Sequence, residues 1–185
     1  MKRTTILTSA GMLAAISIVF QIVHIGYPTQ WGMWIDFVAI PWVIAYFLFG
    51  WRGAFTVSVI SAILITLVAP STWLGAVMKW VATFPMWFVP FAWQKISKLK
   101  LQDFRRLNVV IICLILAIIL RGLLVIPLNY FYAIPIWTGM NPFQAMEFLP
   151  WWILFGLNAI QGTLEFVVAW FLVFRSRLER FAIWE

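Results

Sequence analysis

Four ionisable side chains, Asp36, Lys79, Arg121 and Glu165, interrupt stretches that are otherwise almost wholly apolar. At bilayer depth each costs about 2.5–3.5 kcal/mol on insertion scales, so each demands a partner or a task. With a rise of about 1.5 Å per residue, Arg121 and Glu165 fall at similar depth on successive antiparallel spans. We expect them to form an ion pair that fixes the packing of those spans. Asp36 and Lys79 fall in the outer third. Asn158, Gln161 and Glu165 follow a helical spacing that puts all three on one face, and that face cannot comfortably meet lipid. Asn129, near the outer end of the preceding span, can join Asn158, Gln161, Lys79 and Asp36 around an outward-facing polar cavity. The plainer alternative is that the amides only bridge helices, each contributing about 0.6–2 kcal/mol.

The same residues argue against catalysis. No Gly-rich loop of the Walker type is present to cradle a phosphate. Neither the His and Glu pairing nor the Ser with a credible base that intramembrane hydrolysis needs is found. His24 has no second His to share a metal, and the single Cys113 lies inside an apolar run, where it reads as a small core residue. We therefore expect no enzyme, no metal and no resident cofactor.

The elements that must position these groups follow from composition. The 185 residues are 64% hydrophobic and 10% charged, against about 25% charged in soluble chains. The solvent for most of the chain is lipid. Hydropathy, breakers and charge suggest spans near 5–26, 35–49, 53–69, 74–94, 108–131 and 150–174, a single all-α domain of six membrane helices over 1–185. Residues 6–25 are too long and too poor in cleavage features for a signal peptide. Gly50-Trp51-Arg52-Gly53 permits a sharp reversal, so the second and third spans should form an antiparallel hairpin.

The net charge of +7 does not indicate nucleic acid, because the basic residues lie in short runs between spans. Lys2, Arg3, Arg52, Lys95, Lys98, Lys100, Arg105, Arg106, Arg175, Arg177 and Arg180 all fall on one side if both termini are cytoplasmic, and the opposite loops hold none. That asymmetry places the chain in the cell membrane with both ends inside. The Lys95 to Arg106 loop sets topology and can also touch anionic lipid or partner subunits. The outer loops, 26–34 and 131–150, are rich in Trp, Tyr, Pro and Gly. They form either an aromatic belt or a cover over a cavity, with Trp31, Trp34 and Trp73 at its mouth.

In the first span, Ala10 and Ala14 share one face with Gly11 and Ala15 beside them, both at the four-residue spacing that allows close helix approach. This order of features resembles the substrate-binding S components of energy-coupling factor (ECF) vitamin transporters over nearly the whole chain. The resemblance rests on the alanine-bearing first helix, the WIDFVAIPWVIAYFLFGWRGA segment, and the LNYF and FGLNAIQG segments. It is strongest to the riboflavin-binding branch, although Ala39 and Gln161 stand where that branch often has a carboxylate and a lysine. The resemblance implies a protein that binds a vitamin from outside and docks through Ala10 and Ala14 onto a transmembrane coupling subunit driven by two ATPase subunits. It implies that Asn129, Asn158 and Gln161 face the ligand, with Lys79 matching only by position. Trp31, Trp34 and Asp36 complete the expected binding set from their place in the chain. Riboflavin is the expected solute, with pantothenate, thiamine or cobalamin as alternatives. A different reading is a non-transporting scaffold similar to the rod-shape protein MreD. A self-sufficient secondary transporter would need inverted repeats, and no convincing repeat is present.

Overall fold

The computed structural model describes residues 2–23, 25–68 and 73–184. In chain order the elements are α1 (Lys2–Val23), β1 (Gly26–Pro28), β2 (Trp34–Asp36), α2 (Ile40–Val68), α3 (Trp73–Ile96), α4 (Leu107–Leu128), α5 (Ile134–Thr138), α6 (Pro142–Phe148) and α7 (Trp151–Trp170). Wide π turns at Asn129–Ala133 and Phe171–Arg175 join α4 to α5 and extend α7. Among the described residues, five helical stretches are long and apolar enough to cross a membrane.

One of the five is two arms rather than a rod. Gly50, inside α2, has φ 74° and ψ −167°, a conformation open essentially to glycine alone. Trp42 from the first arm and Ile65 from the second line the same cavity. A straight helix would hold them about 35 Å apart at 1.5 Å of rise per residue. The chain therefore folds back at the Gly50 to Gly53 connection, and α2 contributes an antiparallel hairpin to a six-helix bundle.

The break leaves helical carbonyls in need of donors. The far end of the chain supplies them: the Ile183 N–H donates to the Leu48 carbonyl at 3.0 Å, and Trp184 Nε1 donates to the Phe47 carbonyl at 2.9 Å. A 3-10 turn at Leu178–Phe181 leads into this tail, and its Glu179 is gripped by Arg105 through two hydrogen bonds of 2.9 Å.

The first arm of α2 is the centre of the molecule. Trp42, Val43, Ala45, Tyr46 and Phe47 are all fully buried, as suits a helix apolar on every side. Around Phe47 stand the rings of Tyr46, Phe104, Phe166 and Phe174, with centroids 5.3–5.7 Å away and mostly edge-on, an arrangement aromatic quadrupoles favour. The other helices turn one face to this core and one outward. α1 is the most peripheral span, with 17% of its apolar window buried against 39–50% in α2, α3, α4 and α7.

The structure corrects several sequence expectations. The fifth span does not stop near residue 131 but continues as helix to Thr138. Pro135 is accepted because it sits in the first turn of α5, where its missing N–H is not needed. The region read as an outer loop is thus largely helical. Its second piece, α6, starts with a reciprocal cap in which Asn141 Oδ1 accepts from the Gln144 N–H and Gln144 Oε1 accepts from the Asn141 N–H, both at 3.0 Å. The first outer loop is a β-hairpin in which Gly26 pairs with Asp36, Tyr27 with Ile35 and Pro28 with Trp34. Asp36 therefore ends a strand and does not begin the second span.

Replacing Gly50 by Ala puts a Cβ into a backbone region it does not tolerate, at a cost of about 1–3 kcal/mol. The Gly50→Ala protein is expected to unfold at lower temperature in detergent than the parent, as followed by tryptophan fluorescence.

Candidate functional site

A cavity of about 690 Å³ opens at one end of the bundle, where α2 and α3 begin, α4 and α5 end and α7 begins. The basic residues 95–106 and 175–180 follow or precede the opposite ends of these helices. The cavity volume lies within the range of small-molecule sites, and the wall matches their usual makeup of apolar and aromatic surface with a few placed polar groups. Phe20, Trp31, Trp34, Trp42, Trp137 and Phe148 provide the aromatic wall.

The floor is a buried ion pair. Arg121 Nη1 donates to Glu165 Oε2 at 2.8 Å and Arg121 Nε to Asn158 Oδ1 at 3.2 Å. The two charged side chains are 4% and 1% exposed. Small residues make room for them. A Cβ on Gly162 would lie 3.1 Å from Met86 Sδ and 3.4 Å from Arg121 Cδ, and one on Gly122 would lie 2.5 Å from the Phe155 ring. Thr83, one helical turn beyond Lys79 on α3, donates to Glu165 Oε2 at 3.3 Å.

Gln161 joins the floor to the roof. Its carbonyl accepts from the Asp36 backbone N–H at 2.9 Å, and its NH₂ donates both to the Asp36 carbonyl and to Glu165 Oε1 at 2.8 Å. The last residue of β2 is thus clamped by one amide on its two backbone polar groups. The Asp36 carboxylate pairs with Lys79 from α3 and accepts from the Val38 N–H at 3.0 Å. The hairpin it belongs to brings Trp31, Gly32, Met33, Trp34 and Ile35 over the cavity. Its turn is closed by the Thr29 N–H to the Met33 carbonyl at 2.8 Å, with Gly32 at φ +78°.

Of the sequence-derived binding set, Trp31, Trp34, Asp36, Lys79, Asn129, Asn158 and Gln161 all line this one cavity. Arg121 and Glu165, expected as a pair, are paired and line it as well. Gln161 differs from expectation in what its amide does, since its acceptor and both its protons are engaged within the protein. Asn129 uses its NH₂ on the Val125 carbonyl at 2.8 Å, which leaves its Oδ1 for a ligand. Trp73 does not line the cavity. Trp42, Trp137 and Thr83 were missed. Thr83 was recoverable from its four-residue spacing to Lys79, but the inward faces of the two tryptophans had no comparable signal.

Ala10 and Ala14, expected as docking residues, face inward. Both are 1% exposed and pack with Trp42, Ala45 and Val57 of α2, so their methyl groups face the protein's own core. Ser17 continues that inward face and accepts from Trp42 Nε1 at 3.1 Å. Gly11 and Ala15, one residue further round, are the exposed small pair. His24 lies outside the described residues. Among the described residues no group of His, Cys, Asp and Glu is placed to hold a metal.

The bundle thus carries a cavity walled by aromatics and floored by a neutralised polar network, an arrangement suited to a small solute. The family described as "ECF transporter, substrate-specific component" matches residues 6–176, and the chain belongs to it. It is a family of transporter components of the cell membrane, not a class of enzymes. The fold is similar to that of a solved structure reported as "Structure and mechanism of the S component of a bacterial ECF transporter", with a TM-score of 0.74, 23% identity, and coverage of 97% of this chain and 98% of that one. Comparison with curated protein sequences gives no significant match.

Removing one partner of a buried ion pair costs about 3–5 kcal/mol. Arg121→Glu and Glu165→Arg are each expected to reduce the yield of monodisperse protein and its melting temperature, and the double exchange to recover part of both. A double exchange no better than the single changes would count against the pair as an energetic unit.

Proposed function

We propose that this chain captures riboflavin from outside the cell and delivers it to a transmembrane coupling subunit and two ATPase subunits that drive uptake. The observation that carries this reading is the cavity itself, about 690 Å³ with six aromatic side chains and the Asn129 and Asn158 amides on its wall. A flat tricyclic ring suits stacking against Trp31, Trp34 and Trp137. Its ring nitrogens and carbonyls suit the spare donors of Lys79 and Asn158 and the Asn129 oxygen. The basic ends of the helices support an orientation with the cavity outward and both termini cytoplasmic.

In this reading α1 meets the coupling subunit through the face that bears Gly11 and Ala15, flanked by Leu7, Met12 and Val19, which are 64%, 64% and 53% exposed. Small residues at helical spacing allow close approach of a partner helix.

Riboflavin is expected to quench the tryptophan fluorescence of the detergent-purified protein saturably, with one-to-one stoichiometry. Thiamine, pantothenate and cobalamin serve as parallel ligands, and saturation by one of them would keep the uptake role and change the solute. Gly11→Leu with Ala15→Leu is expected to abolish cellular uptake while leaving the binding curve unchanged. Intact uptake by that variant would remove the α1 face from the coupling interface.

A further inference from the structure

The charges of the cavity constrain the solutes it can accept. Four ionisable side chains line it and cancel in pairs, Asp36 with Lys79 and Arg121 with Glu165. The pairs differ in reach. Arg121 and Glu165 are 4% and 1% exposed and are further tied by Asn158, Gln161 and Thr83. Lys79 and Asp36 are 19% and 9% exposed, so theirs is the pair an entering solute meets.

Within that pair the two members are not equivalent. Asp36 is held on every polar group: one carboxylate oxygen accepts from the Val38 N–H, the other from Lys79, and its backbone N–H and carbonyl are bonded to Gln161. Among the described residues Lys79 makes one bond and retains donors. We propose that the Asp36–Lys79 pair is the charge-selecting element of the cavity. It admits solutes with no net charge and rejects anionic and cationic derivatives of the same scaffold. The inference rests on the solute-binding reading above and extends it from a fitting shape to a rule about charge.

The physical basis is desolvation. An anion reaching Lys79 must compete with a carboxylate already held by the Val38 N–H, on a residue whose backbone Gln161 clamps. A cation finds that carboxylate engaged and an ammonium beside it. In either case one charge is left uncompensated against walls of aromatic and aliphatic carbon, where its loss of hydration is not repaid. A neutral solute leaves both pairs intact, accepts from the spare Lys79 protons and can donate to Asn129 Oδ1. Removing one member of the pair should therefore set the sign of the preferred solute. Asp36→Asn keeps an oxygen for the Val38 N–H and leaves Lys79 uncompensated, which favours anions. Lys79→Gln leaves the Asp36 carboxylate uncompensated, which favours cations.

The test uses the full chain in detergent and tryptophan quenching by matched neutral and charged compounds: riboflavin and its 5′-phosphate, pantothenol and pantothenate, nicotinamide and nicotinate, with thiamine as a cation. For the parent, the neutral member of the binding pair is expected to be favoured by about tenfold or more, a step of about 1.4 kcal/mol. Asp36→Asn is expected to narrow or reverse that ratio, and Lys79→Gln to leave the anion excluded while improving any cation. A charged member that binds the parent as tightly as its neutral partner overturns the inference and leaves the solute-binding reading standing. An unchanged ratio in both variants overturns the assignment to this pair. Saturation by no compound, in parent or variants, overturns the inference together with the reading beneath it.

Discussion

A charge inside an apolar bundle must be neutralised by a group from another helix, because lipid offers it nothing. In this chain that constraint produces one continuous ladder: Asn158 to Arg121, Arg121 to Glu165, Glu165 to Gln161, Gln161 to the Asp36 backbone, and the Asp36 side chain to Lys79. Its members come from α4, α7, β2 and α3. A buried ion pair adds little net stability over well-packed carbon, and removing one member strands the other, so its main effect is on geometry. The ladder fixes the distance between α4 and α7 and the position at which the outer hairpin lies over the cavity.

The remainder of the bundle is arranged so that the ladder fits. Gly122 and Gly162 bring Phe155, Met86 and the Arg121 stem into close contact around the ion pair. The first arm of α2, buried on every side, runs from the cavity wall at Trp42 to the aromatic cluster around Phe47 nearer the basic end. Polar groups are thus gathered at one end of the molecule and dense ring packing at the other. One end can hold a solute while the other holds the helices in register.

Much of this was legible in the sequence because lipid makes every polar residue conspicuous. Depth counting along apolar runs put Arg121 level with Glu165 and put Asp36 and Lys79 together in the outer third. Helical spacing put Asn158, Gln161 and Glu165 on one face. Periodicity gives a direction but not a partner, which is why Gln161 read as facing a ligand when its amide holds a strand of its own chain. The first helix shows the same limit. Ala10 with Ala14 and Gly11 with Ala15 have identical spacing, and only the packing of Trp42 and Ala45 decides which pair is inside. The outer hairpin and α6 were hidden for another reason. Their structure rests on turn and cap contacts of a few residues, such as Asn141 with Gln144, within segments whose aromatic content reads equally well as a membrane-surface belt.

The bend in α2 has a consequence for biosynthesis. The carbonyls of Phe47 and Leu48 find their donors on Trp184 and Ile183. These residues leave the ribosome only after the six spans described above have been made. The second and third spans are therefore synthesised before these two donors exist. The bundle's central hairpin becomes fully bonded only once translation has passed the sixth span.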